Sequence, residues 1–326
     1  MSAKSILIIR CGALGDLVYA TSVIDALLLE FGNNTLIDFI CTPGAGTLFK
    51  ADSRIHKVFP LKHSSQKKDI IKASQDTPYD ILINFEYAKQ FKSLIQSITA
   101  EKKILATDKK IPVNILHMVD KTKFVFKDIV SNSVYSQSFP RLVGTPKEDV
   151  TLKYNLPEKF IIISPSNSHQ KRNIINYRAW ENDSWKELIE MLKNHIPVVI
   201  IGNKGEEDFF DKLKPYPNKI IDLVGKTSLI DLIGIIESAR ALVATDTGTA
   251  HIASAVNTEV FALIGPTPAY ETGPYQSPNN RVHIISSNQD CSPCYKTQTM
   301  KDCKNNICMK EISSKKVYET ITSAIL

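Results

Sequence analysis

The stretch SILIIRCGALGD, residues 5–16, determines the fold that the sequence predicts. Residues 5–10 form an apolar run that ends at Cys11, which is typical of a parallel strand buried on both faces. Residues 16–30 then carry apolar side chains at helical spacing. A second strand is predicted at residues 36–40, and another follows at residues 80–84. Strand, helix and strand in this order indicate a doubly wound α/β domain with a parallel sheet.

The same alternation restarts in the second half of the chain, after a segment that contains several prolines. We expect a linker there, at residues 145–157. Beyond it, apolar runs predict strands at residues 160–164, 197–201, 219–223, 241–244 and 259–264. Helices are predicted between these strands, at residues 183–194, 206–213, 228–239 and 249–256. The sequence therefore predicts two Rossmann-like α/β domains, residues 1–155 and 156–326, whose strand ends line a central cleft.

Length and charge narrow the class of protein. A chain of 326 residues fits about two domains of roughly 150 residues each. The net charge of +6, from 40 basic and 34 acidic residues, suits an anionic substrate or a membrane surface but is too weak for a nucleic-acid-binding protein. No apolar run approaches the roughly 20 residues of a membrane helix, and the N-terminus lacks a secretion signal. We expect a cytoplasmic protein, with peripheral contact at the inner face of the inner membrane left open.

The turn after the first strand is the first candidate site. Gly12 and Gly15 let the backbone turn tightly and bring N–H groups toward a ligand. Asp16 follows at the start of the helix, where it is either a functional carboxylate or only a helix cap. The turn lacks the first glycine of G-x-G-x-x-G, which argues against a dinucleotide cofactor.

The segment TDTGTAH, residues 245–251, is the second candidate site. Small hydroxyl residues and a glycine at a helix start form an anion site, because backbone N–H groups converge there and the helix dipole favours negative charge. A diphosphate fits such a site. The alternative is an ordinary capped turn with His251 facing the core. A rigid GPTP loop, residues 265–268, follows the next predicted strand and is expected at the same edge.

Taken in order, the motifs GALGD (12–16), DTGxxH (246–251), GPT (265–267) and TGP (272–274) resemble those of glycosyltransferase family 9, the bacterial heptosyltransferases. The resemblance runs along nearly the whole chain. It implies the GT-B fold of two Rossmann-like domains. It also implies inverting transfer of a sugar from an ADP-activated donor such as ADP-heptose, with no cofactor for catalysis. The implied acceptor is a lipopolysaccharide core or a related glycan.

The resemblance also implies roles for particular residues. Asp16 corresponds to the general base, and Glu206 to an acidic residue that holds the nucleotide ribose. Arg178 stands two residues before a tryptophan, where most relatives have lysine, and either Lys171 or Arg172 could serve in its place. The other donor-binding residues are Gly12, Gly15, Asp246, Thr247, Gly248, Thr249 and His251. The final helix is expected to pack back on the N-terminal domain.

Four cysteines lie close together near the C-terminus: Cys291, Cys294, Cys303 and Cys308. Four thiolates within 18 residues can surround one tetrahedral ion, although the second pair is spaced more widely than usual. Similar segments occur in relatives, some of which hold iron. A structural zinc or iron ion is one prediction, and free thiols or disulfides are the alternative. Because four protein ligands close a metal site, a catalytic role is not expected.

Two basic stretches are candidates for the acceptor side: Lys62, His63, Lys67 and Lys68, and Lys102, Lys103, Lys109 and Lys110. Each is either a solvated face or a contact for anionic sugar or lipid phosphate. Two other functions stay open at this point. One is a nucleotide-binding oxidoreductase, and the other is a non-catalytic binding protein specific for a nucleotide-sugar.

Overall fold

The computed structural model describes residues 4–62, 64–167 and 175–325. It divides into two α/β units, one ending at Gly144 and the next beginning at Thr145. Three basic residues from the sequence analysis, His63, Lys171 and Arg172, lie outside the described residues. None of the helices in the described residues is long and apolar enough to cross a membrane.

The first unit contains a parallel sheet of five strands in the order β3-β2-β1-β4-β5. Its strands are β1 (Ser5–Ile9), β2 (Leu36–Cys41), β3 (Lys57–Pro60), β4 (Tyr79–Asn84) and β5 (Ala100–Leu105). Its α-helices are α1 (Leu14–Ala20), α2 (Ser22–Phe31), α3 (Pro43–Gly46), α4 (Ser64–Asp76), α5 (Lys92–Ser97), α6 (Met118–Phe126) and α7 (Asn132–Gln137). The central strand β1 is buried from Ile6 to Ile9, as an apolar run covered on both faces should be.

The second unit contains a parallel sheet of six strands in the order β11-β10-β9-β6-β7-β8. Its strands are β6 (Ile161–Ser164), β7 (Val198–Ile200), β8 (Ile220–Asp222), β9 (Ala241–Thr245), β10 (Glu259–Leu263) and β11 (Val282–Ile285). Its helices are α8 (Lys147–Tyr154), α9 (Asn182–Leu192), α10 (Glu207–Asp211), α11 (Leu229–Ser238), α12 (Gly248–Ala255), α13 (Ala269–Thr272), α14 (Gln298–Asp302), α15 (Ile307–Lys310) and α16 (Ser314–Ile325).

Strand order reverses once in each sheet, and these two points locate the candidate sites. In the first unit the reversal lies between β1 and β4, and in the second it lies between β6 and β9. In open α/β sheets, ligands bind beyond the carboxyl ends of the strands at such a switch point.

The helix that we predicted at residues 16–30 is two helices, α1 and α2, with a break at Thr21. The hydroxyl of Thr21 donates to the Val18 carbonyl at 2.7 Å, and that of Ser22 donates to the Tyr19 carbonyl at 2.9 Å. Side-chain hydrogen bonds of this kind compete with the helical ladder and bend it. Gly32, with φ +97°, ends α2 in a conformation that glycine favours.

The segment that we expected as a linker contains α8, which packs against α11. The buried Asp231 of α11 holds it there, accepting hydrogen bonds from Thr145, Lys153 and Tyr154 at 2.7 to 2.8 Å. The chain therefore divides at Thr145 and not near residue 155.

The final helix packs within its own unit. α16 lies against α9, and its Val317 and Ile321 join the core that contains Trp185. The expected return of this helix to the N-terminal domain stays a prediction.

Candidate active site

A carboxylate lies at the switch point of the first unit. Asp16 is the third residue of α1, and its side chain is 36% exposed. Its Oδ2 accepts the backbone N–H of Ala13 at 2.9 Å, and its Oδ1 accepts Arg10 Nη2 at 2.7 Å. The first contact is that of a helix cap. Asp16 therefore caps α1, and it also presents a fixed, partly exposed carboxylate at the edge of the sheet.

Gly12 makes room for this carboxylate. A Cβ atom at position 12 would lie 2.5 Å from both Asp16 Cβ and Asp16 Oδ2, much closer than van der Waals contact. Gly15 is the second residue of α1. The structure places both glycines in the first unit, beside Asp16. Their predicted contact with the donor stays a prediction.

A second carboxylate, that of Glu86, lies across the same switch point, directly after β4 and Phe85. Its Oε1 accepts the backbone N–H of Cys11 at 2.7 Å and lies 3.7 Å from Arg10 Nη1. Arg10 therefore contacts both Asp16 and Glu86. Neither Arg10 nor Glu86 was predicted as a site residue, because 75 residues separate Glu86 from the turn that it contacts. The available signal was the position of Glu86 just after a predicted strand.

Cys11 lies in the same turn but is not suited to act as a nucleophile. Burial, followed by the nearby charge of Glu86, raises the pKa of its thiol to about 12. Burial raises the pKa of the neighbouring Cys41 to about 12 as well. Both thiols therefore stay protonated at neutral pH, and a protonated thiol is a poor nucleophile.

A polar cavity of about 140 Å³ lies at the switch point of the second unit. Ser164 and Ser166 line it at the end of β6, and Thr247 and Thr249 line it at the start of α12. The side chains of Ser164 and Thr249 share a hydrogen bond of 2.8 Å. Residues that follow β7 and β8 form the rest of the lining: Ile201, Gly202, Asn203, Lys204, Gly225, Thr227, Ser228, Leu229 and Leu232. Hydroxyl groups, a lysine and a helix N-terminus suit the ribose and phosphates of a nucleotide.

Thr247 and Thr249 were predicted as site residues, whereas Ser164, Ser166 and Lys204, which also line the cavity, were not. The missed residues follow predicted strands, and carboxyl ends of parallel strands meet at one edge. That position was the signal that could have found them.

A basic residue and a carboxylate meet beside this cavity. Arg178 Nε lies 3.2 Å from Asp246 Oδ2, an ion-pair distance without the alignment of a hydrogen bond. Asp246 Oδ2 also accepts the hydroxyl of Thr267 at 2.6 Å. The Arg178 guanidinium stacks 4.6 Å from the centre of the Tyr295 ring. The structure thus brings together Arg178, Asp246 and the predicted 265–268 loop.

Glu206 and His251 are both buried and do not line the cavity. Glu206 accepts hydrogen bonds from the Ser166 hydroxyl at 2.8 Å and from the Asn203 backbone at 3.0 Å. It therefore supports two cavity residues from behind. His251 lies in α12, which carries Gly248 as its first residue. The predicted contacts of Glu206, Gly248 and His251 with the donor stay predictions.

The cysteine segment folds around the 265–268 loop. The backbone N–H groups of Cys294 and Tyr295 both donate to the Pro266 carbonyl at 2.9 Å. A Cβ atom at Gly265 would lie 2.8 Å from Cys308 Sγ, so glycine is needed for this close approach. The segment therefore buttresses the loop that holds Asp246.

All four cysteines of this segment are free thiols. Burial, together with the nearby charges of the other three cysteines, raises the pKa of Cys308 to about 11. However, no set of three or more His, Cys, Asp or Glu side chains in the described residues is arranged to hold a metal ion. The thiols are thus neighbours without forming a ligand shell.

Comparison with known proteins decides the family. The sequence model of one family, described as Glycosyltransferase family 9 (heptosyltransferase), matches residues 69–305, more than half of the chain. The chain belongs to glycosyltransferase family 9. The assignment to the glycosyltransferases that the motifs indicated is confirmed.

Relatives of this family-9 chain are themselves heptosyltransferases. It is 23% identical over 308 residues to the lipopolysaccharide core heptosyltransferase OpsX of Haemophilus influenzae. The aligned region covers 87% of this chain and 86% of that protein. It is 26% identical over 142 residues to lipooligosaccharide heptosyltransferase 2 of Campylobacter jejuni. That second match spans 42% of this chain and 43% of the Campylobacter protein, less than half of either.

Solved structures confirm the predicted GT-B fold of two parallel-sheet α/β domains. A family 9 glycosyltransferase from Veillonella parvula gives a TM-score of 0.81 at 15% identity, covering 100% of this chain and 98% of that one. ADP-heptose lps heptosyltransferase II from E. coli gives 0.77 at 16% identity, covering 98% of each. The iron-containing dodecameric glycosyltransferase TibC from enterotoxigenic E. coli H10407 gives a TM-score of 0.60 at 12% identity. That match covers 99% of this chain and 76% of the TibC chain.

Proposed function

We propose that this chain is an inverting glycosyltransferase that moves heptose from ADP-heptose to a lipopolysaccharide core or a related glycan acceptor. One observation carries the proposal within the family: a partly exposed carboxylate, Asp16, stands at one switch point, and a cavity lined by hydroxyl groups and a lysine lies at the other. Heptose and ADP are suggested by the named relatives, and the chemistry below does not depend on the sugar.

Asp16 is the proposed general base. The oxygen of an acceptor hydroxyl attacks the anomeric carbon of the donor, and its proton passes to the Asp16 carboxylate. The new bond from the acceptor oxygen to this carbon forms as the bond to the ADP oxygen breaks, through an oxocarbenium-like transition state. Arg10 holds Asp16 Oδ1 at 2.7 Å, so the carboxylate is oriented before the acceptor arrives.

The second unit is the proposed donor site. ADP gains negative charge as it leaves. The backbone N–H groups at the start of α12, at Gly248 and Thr249, and the Arg178 guanidinium are suited to stabilise that charge. Thr247, Asp246 and His251 are proposed around the diphosphate and sugar, and Glu206 on the ribose side, through Ser166 and Asn203. These donors let us propose transfer without a catalytic metal or cofactor.

The cysteine segment is proposed as a structural metal site for zinc or iron. The support is chemical: four neighbouring thiols, Cys291, Cys294, Cys303 and Cys308, within one short segment. Metal binding would deprotonate all four thiols, because the thiolate is the form that binds a metal. Metal analysis of protein purified without chelator tests this: a near-stoichiometric ion supports it, and a trace amount rejects it.

A cytoplasmic location is proposed, at the inner face of the inner membrane, where a lipid-linked core acceptor would be met. No nucleic-acid partner is proposed, given the modest net charge of +6.

A donor panel tests the proposed function. ADP-, UDP- and GDP-linked sugars are incubated with the full chain, and both the thermal melting shift and the release of nucleoside diphosphate are measured. We expect ADP-heptose to give the largest shift and to be turned over when a heptose-deficient core acceptor is added. A larger melting shift with UDP- or GDP-sugars would contradict the ADP-heptose assignment. NAD is tested in the same way, and a melting shift with NAD but with none of the nucleotide-sugars would favour an oxidoreductase.

A further inference from the structure

One loop of the first unit exposes aliphatic side chains where polar residues are expected. Residues 109–117 join β5 to α6 and contain the run IPVNIL. Val113 is 94% exposed and Leu116 is 51% exposed, the first being the most exposed large apolar side chain in the described residues. Surface loops normally carry polar residues, so two neighbouring exposed aliphatic side chains need an explanation.

The loop has a defined turn that holds these side chains outward. The backbone N–H of Ile115 donates to the Pro112 carbonyl at 3.0 Å, which closes a turn with Val113 at its corner. His117 then caps α6, because its Nδ1 accepts the Val119 N–H at 3.1 Å. Hydrogen bonds thus anchor the turn at its closure and where α6 begins.

Four lysines lie on β5 or in the loop that contains this turn. Lys109 forms an ion pair with Asp128 at 2.6 Å, and the Lys103 ammonium donates hydrogen bonds to two backbone carbonyls at the end of α5. Lys102 and Lys110 are exposed, and neither forms an ion pair among the described residues. Exposed aliphatic side chains beside exposed lysines are the combination that binds a bilayer with anionic headgroups.

The chain segment that leads to this turn leaves the sheet at the same edge as Asp16. The sheet order β1-β4-β5 puts the ends of these three strands side by side. Asp16 follows β1, the 54% exposed Tyr87 follows β4, and residues 109–117 follow β5. With strands about 4.8 Å apart, the loop begins roughly 10 Å from the strand that leads to Asp16.

We propose that residues 109–117 dock the chain on an anionic phospholipid surface. Val113 and Leu116 enter the headgroup boundary, Lys102 and Lys110 contact lipid phosphates, and Tyr87 lies at the interface, as tyrosines at membrane surfaces do. The surface deepens the proposed function, because it brings the carboxylate edge to a lipid-linked acceptor. The docking itself does not depend on which sugar is transferred.

Vesicle flotation with the full chain tests this surface. Vesicles of phosphatidylcholine alone are compared with vesicles that also contain phosphatidylglycerol. The test variant is Val113→Ser/Leu116→Ser, and the control is Leu152→Ser, which changes an 86% exposed leucine on α8 of the other unit. We expect binding to the anionic vesicles only, a loss of about ten-fold or more in the test variant, and no change in the control.

Three results would overturn the proposal: no binding of the native chain to anionic vesicles, equal binding by the test variant, or a change of oligomeric state in that variant, which would make the surface a protein interface. Flotation needs neither donor nor acceptor. Transfer to a water-soluble core fragment should be the same in the native chain and in the test variant. Absence of transfer in the native chain would count against the proposed function and not against docking, whereas a loss confined to the test variant would count against a docking role for the loop.

Discussion

The guanidinium of Arg10 donates from Nη2 to Asp16 Oδ1 at 2.7 Å, while its Nη1 lies 3.7 Å from Glu86 Oε1. Arg10 directly follows β1. Asp16 lies in the helix after β1, and Glu86 follows β4, the strand on the other side of the switch point. One mostly buried cation therefore orients the carboxylate that we propose as the base, and it does so before any substrate binds.

Replacing Arg10 tests this orientation. Arg10→Leu should lower kcat by about ten-fold or more, because Asp16 loses a charge-assisted hydrogen bond, while the KM for the donor changes little. Arg10→Lys keeps the charge but loses the two-armed geometry, so an intermediate kcat is expected. Steady-state transfer kinetics measure both, and a KM effect without a kcat effect would contradict a positioning role.

Gly12 gives a steric test of the same carboxylate. In Gly12→Ala the new Cβ falls 2.5 Å from Asp16 Cβ, so the carboxylate must move and kcat should drop. Gly44→Ala is the matched control, because a Cβ atom there meets nothing within 4 Å. Equal activity of the two variants would show that the position of Asp16 is not critical.

Arg178 is expected to contribute to donor affinity. In Arg178→Ala the ADP dissociation constant should rise about ten-fold to a hundred-fold, since an arginine–phosphate contact is charge-assisted. Arg240→Ala is the control, because Arg240 pairs with Glu259 near the amino ends of the strands, at 3.0 Å. Calorimetry with ADP measures both, and unchanged affinity in Arg178→Ala would transfer the role to Lys171 or Arg172.

Asp231 gives a prediction about stability. Its burial alone would raise its pKa, but hydrogen bonds from Lys153, Thr145 and Tyr154 outweigh this and hold the pKa of Asp231 well below its usual value. A depressed folded-state pKa stabilises the protein above the unfolded value of about 4, and this stability is lost as the pH falls through the folded value.

Asp231→Asn should therefore reduce the free energy of unfolding by about 2 kcal/mol at neutral pH, and the difference should shrink below about pH 4. Urea unfolding of the native chain and the variant, at neutral pH and below about pH 4, measures this difference in the free energy of unfolding. Asp183→Asn is the control, because the Asp183 side chain is 90% exposed and its pair with Lys186 spans 3.6 Å. If the difference in free energy of unfolding between the native chain and Asp231→Asn persists or grows in acid, the assigned direction of the pKa shift is wrong.

The central strands of both sheets could be predicted because each is a long apolar run. The edge strands β3 and β5 could not: β5 reads AEKKIL and exposes Glu101, Lys102 and Lys103, so it lacks the pattern of a buried strand. Edge strands pair with a neighbour on one side only. Their solvent-exposed positions carry polar side chains, so the apolar pattern of a buried strand is lost.

The candidate site was predictable to the extent that its residues share a short motif. Asp16 and residues 245–251 sit in turns with glycine at a strand end, which is a local signal. The contacts of Glu86 with Cys11 and of Arg178 with Asp246 join residues far apart in the chain. Such pairs depend on which strand ends meet, and only the sheet order supplies that information.

The most direct test of the account is the transfer rate of Asp16→Asn, which keeps the size of the side chain and removes its basicity. With ADP-heptose and a heptose-deficient core acceptor, we predict a loss of about a hundred-fold or more in kcat, with ADP affinity within about two-fold of the native chain. A variant that retains most of the native rate would contradict Asp16 as the general base.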